Sequence, residues 1–526
     1  MVPDNPKESN AGNVPAKQSG DETAHGFTLG GLIDSELVIG LVGAVGTELD
    51  LVVYDLKERL QSHKYKVHTI HISKHVIPEI MDMDLPTDCD EYTRIDALMT
   101  AGNDARKYSK DNGVLSLGAA AFINKLGADS AGRRSFRSRH AYIIKSLKHP
   151  DEILQLRQIY PLGFYSIGVY AHETLRREYF VKKKNMSREK VQRLMDRDEN
   201  ENVAYGQHVS DTFHMSDFFV HLDDSRERLT NNLWRILDIL FGHPYKTPTF
   251  DEYAMFLAHA AAVRSADLSR QVGAVIAKDK EILATGANDC PKHGGGLYWP
   301  LLDKKTGEMK DEPRGRDHVR GEDANKMQLQ QITDEIIDSA SEAGLDTDEL
   351  KKVLDSSPIK DLTEFGRAVH AEMEALLSCA RTHGNTRGAT IYTTLFCCHN
   401  CAKHMIAAGI TRVVYIEPYL KSKAIELHDD AISMDFFDDD ERKNPNTMCF
   451  EPFVGVGPRR FFDLFSMRLG SGNRLFRKNT AGKTLLPEPE KGILRLQMLP
   501  RSYLDLEYKA GHQFRKLGAT CKKTKE

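Results

Sequence analysis

Short apolar, β-branched runs alternate along the first half of the chain with segments in which apolar residues return every three or four positions. Glu36 to Val42 is such a run; it reaches Gly43 and Gly46 and passes into a helical pattern from Thr47 to about Gln61. That order predicts a strand, a glycine turn and a helix. Lys66 to Ile72, Ala141 to Leu147 and Gly163 to Tyr170 are further strand candidates with helical periodicity between them, and strands alternating with helices predict a parallel α/β sheet. Helical stretches follow over Ser187 to Met195 and Arg226 to Phe241, and His243-Pro244 with Pro248 marks a boundary near residue 245.

A second unit starts with a helix from Phe250 to Ala266, a strand Val272 to Ile276, a turn at Lys278-Asp279-Lys280 and a strand Ile282 to Ala287, read as an antiparallel pair. From Asp289 to about Asp361 the sequence turns glycine-rich and then charged, as expected of an insertion carrying one helix near Met327 to Ala343. The pattern resumes with a helix through His370 to Arg381, a strand Thr390 to Thr394, a helix Cys401 to Ala408 and a strand Arg412 to Ile416. The expected divisions are a disordered leader at 1–33, domains at 34–245 and 246–475 with the insertion at about 290–361, and a C-terminal extension at 476–526 whose basic end from Lys516 is mobile.

Composition narrows the class. A chain of 526 residues fits two or three domains, and 72 Lys plus Arg against 76 Asp plus Glu leave a net charge of −4. A protein that coats nucleic acid carries a basic excess, which this chain lacks. The first residues have no apolar signal-peptide core, and no run of about 18 apolar residues marks a membrane span. Three of the eight cysteines, Cys397, Cys398 and Cys401, fall within five residues. Without a secretion signal, such clustering points to metal or catalysis in a reducing cytoplasm.

The chemistry centres on His370-Ala371-Glu372 and on Cys398-His399-Asn400-Cys401, which begins 28 residues after His370. Both cysteines fall at or just before a predicted helix N-terminus, where the helix dipole favours a thiolate. Two thiolates and an imidazole are ligands that Zn2+ prefers, and three protein ligands leave the fourth tetrahedral position to water. Glu372, two residues from the histidine, can face that water as a proton shuttle without binding the metal. H-x-E followed by C-x-x-C is the signature of zinc nucleobase deaminases. With the order helix, two strands, helix, strand, helix, strand over about 250–420, the unit resembles the cytidine and deoxycytidylate deaminase family, a three-layer α/β/α fold. By that resemblance Val272-Gly273-Ala274-Val275-Ile276 and Thr285-Gly286-Ala287-Asn288 are the first core strands, Asn288 contacts the sugar, and the Ala371 N–H holds the pyrimidine carbonyl. Cys397 stands where the family usually has proline; a Cys397/Cys401 pair would have three intervening residues, so Cys398/Cys401 is the preferred ligand pair.

In the first domain Gly43-Ala44-Val45-Gly46-Thr47 lies where a P-loop would lie. Aligned on G-x-x-x-x-G-K-[ST], Glu48 falls at the second glycine, Leu49 at the lysine and Asp50 at the serine or threonine. Phosphoryl transfer is therefore not expected. Phosphate binding through backbone N–H groups and a plain tight turn both remain open. His140 to Asp223, including Arg193, Arg197-Asp198 and Tyr205-Gly206-Gln207, resembles the later part of nucleoside monophosphate kinase-like proteins. Fused to the deaminase unit, this is similar to the bacterial anti-phage dCTP deaminases. That resemblance implies deamination of dCTP and dCMP in antiviral defence, a P-loop kinase-like regulatory domain with an allosteric nucleotide, a small RNA or other cognate antitoxin as inhibitor, and a homo-oligomer without membrane attachment.

Among cations, Arg270, just ahead of a core strand, is the leading candidate for phosphate contact, with Lys421 and Arg459-Arg460 behind it. Phe453, Phe461, Phe462 and Phe465 read as a packed element before a base-stacking platform, and Asp438 to Glu441 as a solvated acidic turn. Cys290 with His293 is too sparse for a metal site, and Gly294 to Gly296 reads as a flexible loop over the active site. Two other functions compete: a polynucleotide cytidine deaminase acting on RNA or single-stranded DNA, and a non-catalytic nucleotide sensor with structural zinc.

Overall fold

The computed structural model describes residues 35–525 apart from 87–88, 129–134, 200–204, 224, 358, 360–361, 363, 418–421, 435–445, 469, 471–472, 474, 480 and 499. The expected leader at 1–33, Lys421 and the acidic run Asp438 to Glu441 lie outside the described residues.

The first domain is a parallel sheet of β1 (Leu37–Gly43), β2 (Lys66–His71), β3 (His140–Leu147), β4 (Phe164–Ala171) and β5 (Phe218–Leu222) in the order β2-β3-β1-β4-β5. The four strands read from the sequence are there within a residue or two; β5, a five-residue strand buried at every position, was not singled out. Side-chain alternation along β1 explains the two cores. Leu37, Ile39 and Leu41 pack with α1 (Leu49–Ser62), while Val38 and Val42 face α2 (Glu91–Ser109), α3 (Val114–Gly127) and α4 (Pro150–Ile159). The chain leaves β1 on one face of the sheet and β3 on the other. That divergence opens a crevice at their carboxyl ends. Two more long helices, α5 (Arg188–Glu199) and α6 (Arg226–Leu240), join this frame, with short ones at Ile77–Met81, Glu173–Glu178 and Val209–Phe213.

The second domain is a mixed sheet flanked by α7 (Phe250–Ala262). Its strands are β6 (Gly273–Lys278), β7 (Glu281–Ala287), β8 (Thr390–Leu395), β9 (Arg412–Glu417), β10 (Ile432–Ser433) and β11 (Met448–Pro452), in the order β10-β11-β9-β8-β6-β7. The β6/β7 pair is antiparallel, as read, with Asp279 and Lys280 at positive φ in the turn. Where one helix was expected, the insertion carries two long ones, α8 (Ala324–Glu342) and α9 (Thr347–Ser356), in which only Ala340 is buried, besides a single turn at Asp317–Arg320. Opposite α7 lie α10 (Ala371–Arg381) and α11 (His399–Ala407), giving three layers: Ala254, Met255 and Ala258 pack on one face of the sheet, Ala375, Ala402 and Met405 on the other.

The C-terminal part returns to the first domain. After β11, β12 (Gly455–Val456) pairs antiparallel with β5 of the first sheet, and the long α12 (Pro500–Lys525) packs on α2 and α3. Tyr503, Ala510 and Phe514 place one apolar face in the first core, so the basic end from Lys516 continues a docked helix. The junction is tied by Glu252. It completes a capping box with Thr249 on α7, accepts both Arg235 nitrogens from α6 at 2.7 Å, and accepts the Val456 N–H of β12 at 2.8 Å. Among the described residues no helix is long and apolar enough to cross a membrane.

Candidate active site

His370 and Cys398 are the N-cap residues of α10 and α11, both with extended backbone. Neither side chain caps its own helix, so both are free to point at a shared ligand while the two helix dipoles favour negative charge there. Close approach of β7 sets the position of α10. A Cβ on Gly286 would stand 2.1 Å from the Ala371 carbonyl oxygen, so only glycine lets the strand lie so close to that helix.

Cys398 Sγ lies 3.3 Å and Cys401 Sγ 3.5 Å from His370 Nδ1. A tetrahedral zinc with bonds of about 2.05 Å to nitrogen and 2.3 Å to sulfur separates such ligands by about 3.6 Å. The donors therefore fit a zinc ion in both chemistry and spacing. Among the described residues, these three are the only group of three or more His, Cys, Asp or Glu gathered closely enough to hold a metal. The Cys398 thiol is lowered to about 4, first by the hydrogen bond from Cys401 and then by His370; His370 is raised to about 9, first by its bond to Cys398. The pair thus holds a thiolate, the form zinc binds. Cys397 is fully buried in the core and is not among the donors gathered at His370; its thiol is pushed well up by burial, as that of Cys401 is by its bond to Cys398 and by burial.

Glu372, in the first turn of α10, is buried beside this cluster, with Cys401 Sγ 3.6 Å from Oε2 and Thr393 Oγ1 3.4 Å from Oε1. Burial raises its carboxyl pKa, the condition for a group that must accept and return a proton. Glu372 and His370 open onto a cleft of about 310 Å3 that Arg270, Asn288, Ala371 and Cys398 also line. Ala371, the first residue of α10, has no intrahelical acceptor for its N–H. The Asn288 amide is already engaged: its oxygen accepts from Val272 N–H at 2.7 Å and its nitrogen donates to Arg270 O at 2.8 Å, which fixes the strand that presents Arg270. Arg270 is half exposed, with Glu417 3.8 Å away.

A family model of the cytidine and deoxycytidylate deaminase zinc-binding region matches residues 248–417. The deoxycytidylate deaminase of Mycobacterium phage D29 is 30% identical over 168 residues, 32% of this chain and 94% of the relative. The chain belongs to the cytidine and deoxycytidylate deaminase family. The deoxycytidylate deaminase of Enterobacteria phage T4 is 29% identical over 167 residues, 32% of this chain and 77% of the relative. Among solved structures, a dCMP deaminase from the cyanophage S-TIM5 is 17% identical with a TM-score of 0.21, covering 39% of this chain and 99% of the other. The family's zinc region and the His370/Cys398/Cys401 cluster together make zinc the cofactor of this deaminase domain.

Several sequence candidates fall elsewhere. Arg460 is buried at the domain junction, bonded to Asp217 at 3.2 Å and to Phe164 O at 3.0 Å, and Arg459 stands 3.7 Å from the same Asp217; neither lines the deaminase cleft. Gly294 to Gly296 make a turn beside Arg381 and are not among the cleft residues. Phe461 stacks on Phe256 at 4.2 Å between ring centres, a packed element as read. Cys290 is buried away from the metal cluster. Sequence reasoning missed what covers the cleft: Asp317, Asp323 and Asn325 of the insertion, with Arg367 held to Asp317 at 2.5 Å. Their charge was visible, but nothing local announced that a 70-residue insertion folds back over the site.

In the first domain, Gly43, Ala44, Val45, Gly46 and Thr47 turn between β1 and α1 and line a second cleft of about 230 Å3 at the sheet's carboxyl edge. Gly46 has φ +86, a left-handed conformation suited to glycine. Leu49, at the lysine position, is buried in the core; Glu48 pairs with Lys183, and Asp50 with Lys145 at 2.5 Å.

Proposed function

We propose that the protein deaminates free deoxycytidine nucleotides, dCTP and dCMP, to dUTP and dUMP with release of ammonia. The observation that supports this reading most is a buried carboxyl, Glu372, set against a three-donor zinc cluster that opens on a nucleotide-sized cleft. Zinc held by His370, Cys398 and Cys401 supplies a Lewis acid that makes water nucleophilic near neutral pH. Glu372 takes one proton from the water as the C4–O bond forms and passes it to ring N3, then carries the second proton from the new C4 hydroxyl to the amine, so that the C4–N4 bond breaks and nitrogen leaves as ammonia. The Ala371 N–H orients the pyrimidine carbonyl, Asn288 holds the sugar side of the cleft, and Arg270 meets phosphate.

The architecture of an α/β domain with a P-loop-like turn ahead of the deaminase supports the rest of the reading. The first domain is a kinase-like regulatory unit with an allosteric nucleotide, and dCTP depletion serves antiviral defence in the cytoplasm. The protein is a homo-oligomer restrained by a small RNA or another cognate antitoxin. Zinc-loaded protein incubated with dCTP, dCMP and a cytosine-containing single strand, with Glu372→Ala as control, tests the chemistry. Uracil nucleotide and ammonia from the free nucleotides, lost in the variant, are expected; product from the strand alone overturns the reading.

A further inference from the structure

The turn from Gly43 to Thr47 lacks a lysine, yet an ammonium reaches it from another strand's end. Lys148, just after β3, donates from Nζ to the Gly43 carbonyl and to Asp198 Oδ1, both at 2.8 Å. Asp198, fully buried near the end of α5, accepts the Val45 N–H on its other oxygen at 2.5 Å. One backbone N–H of a glycine turn that leads into a helix and one ammonium are what a phosphate oxyanion takes. Here a carboxylate holds both.

The surrounding cleft has the rest of a ligand site. Four cationic residues line it, each facing a carboxylate that a ligand would compete with: Arg94 faces Glu91, Arg106 faces Glu152, Lys145 faces Asp50 and Lys148 faces Asp198. Two polar atoms buried in its wall, Gln207 Oε1 and Thr47 Oγ1, make no hydrogen bond, and Gln207 is only 6% exposed. A buried polar atom left unbonded gives up its hydrogen bond to water without replacement, so the two point to a partner. Beyond the turn the wall becomes apolar, with Ile72, Leu98 and Met99 suited to a base. The helix that carries Asp198 packs Val191, Leu194 and Met195 into a small core with Met99 and Phe180, and its outer side carries surface pairs, Lys190–Asp90 at 2.6 Å and Arg197–Asp96 at 2.5 Å, which are individually weak.

We infer that this cleft binds the polyphosphate chain of a nucleotide, that Lys148 supplies the charge the turn's own sequence lacks, and that Asp198 is an internal anion the ligand displaces. This rests on the regulatory reading of the first domain and not on the deamination. Displacement exchanges one anion for another on Val45 and Lys148 and frees the end of α5, so occupancy of the cleft is converted into release of that helix.

The test uses the full-length, zinc-loaded protein with ATP, GTP and dTTP, none of which carries a cytosine to deaminate, read by calorimetric titration and hydrogen exchange. At least one nucleotide is expected to bind, to keep the 43–49 segment protected, and to raise exchange over 188–199. Asp198→Asn removes the competing charge and is expected to bind about tenfold more tightly, with 188–199 already exchanging quickly without ligand. Lys148→Ala is expected to weaken binding at least tenfold. Because it strands a buried carboxylate, the double variant Lys148→Ala/Asp198→Asn, which removes both charges, must show the same weakening with an unchanged melt. No exchange response in either segment with any of the three, or weaker binding in Asp198→Asn, overturns the inference. Deaminase turnover is not measured, so either result leaves the chemistry of the second domain to its own test.

Discussion

Both clefts sit at helix N-termini beside the ends of strands, yet they are assembled over very different spans of chain. In the deaminase domain the reactive groups run from His370 to Cys401, and His370 and Cys398 are themselves N-cap residues, so donor type and spacing appear as one short pattern. At the first-domain turn the charged groups, Lys148 and Asp198, come from about a hundred and a hundred and fifty residues away. The turn shows only what it has lost. A motif is legible when one segment both makes the geometry and supplies the chemistry; when the two are split, the sheet topology must be known first. The two sites also lie close to a shared space: Ala44 of the turn lines a small cavity of about 140 Å3 with Tyr415 and Ile416 of β9. The next residue of that strand, Glu417, accepts the Phe396 N–H at 2.7 Å at the deaminase cleft.

The comparison is broken most decisively at Glu372. Glu372→Gln keeps shape and hydrogen bonding and removes the proton exchange, and loss of such a group costs about 10²–10⁴-fold in turnover. Zinc content by atomic absorption is expected to stay near that of the parent, because the carboxyl is not one of the three donors. Turnover within a factor of ten of the parent would show that the chemistry lies elsewhere. Next comes the ligand set. Cys398→Ser is expected to lower zinc affinity at least about a hundredfold, since even outer contacts to ligands are worth 10–100-fold, while Cys397→Ser, a change in the apolar core, keeps zinc and loses only stability. Equal zinc loss in both would reopen the Cys397/Cys401 pairing.

Much of the frame was readable beforehand, and the failures have physical causes. The predicted strands at Lys66, Ala141, Gly163, Thr390 and Arg412 and the antiparallel pair at 272–287 are present because each carries its own β-branched, period-two or fully apolar signal. The docking of the segment after 476 was not legible, because Tyr503, Ala510 and Phe514 mark a helix face that has meaning only against a domain about 400 residues earlier in sequence. Arg460 looked like a phosphate ligand and is instead a buried partner of Asp217, an ion pair across 243 residues. Composition cannot tell such a cation from a substrate contact, since both need a neighbouring anion.

A third measurement asks whether the two regions unfold together. Arg235→Ala removes the partner of Glu252, whose carboxylate is buried between α6, α7 and β12. Stranding a buried carboxylate costs about 3–5 kcal/mol. Because Glu252 touches both domains, one calorimetric transition is expected to move down as a unit; a drop confined to one of two separate transitions would show that the junction does not couple them.

The smallest expected effect separates the domains by acid. Burial lowers His63, His71 and His221 to about 4, and all three belong to the first domain. A histidine whose folded pKa lies below its unfolded value of 6.5 takes its proton more readily after unfolding. Its contribution is therefore full above about pH 6.5 and is lost as the pH falls from there toward 4. For His63, stacked on Phe241 at 4.0 Å, that loss at pH 5 is no more than roughly 2 kcal/mol. The chain has two tryptophans, Trp234 in α6 and Trp299 in the insertion, so Trp299→Phe leaves a fluorophore reporting on the first domain alone. In that background, urea midpoints are expected to fall between pH 6.5 and 4, and His63→Phe, which keeps the stack and gives up the bond to Pro489 O, is expected to flatten the slope by about one proton. An unchanged slope would assign the acid sensitivity to the domain's other histidines lowered by burial, His71 and His221 together with His68, His75 and His149; no fall at all would mean that burial does not hold these rings neutral.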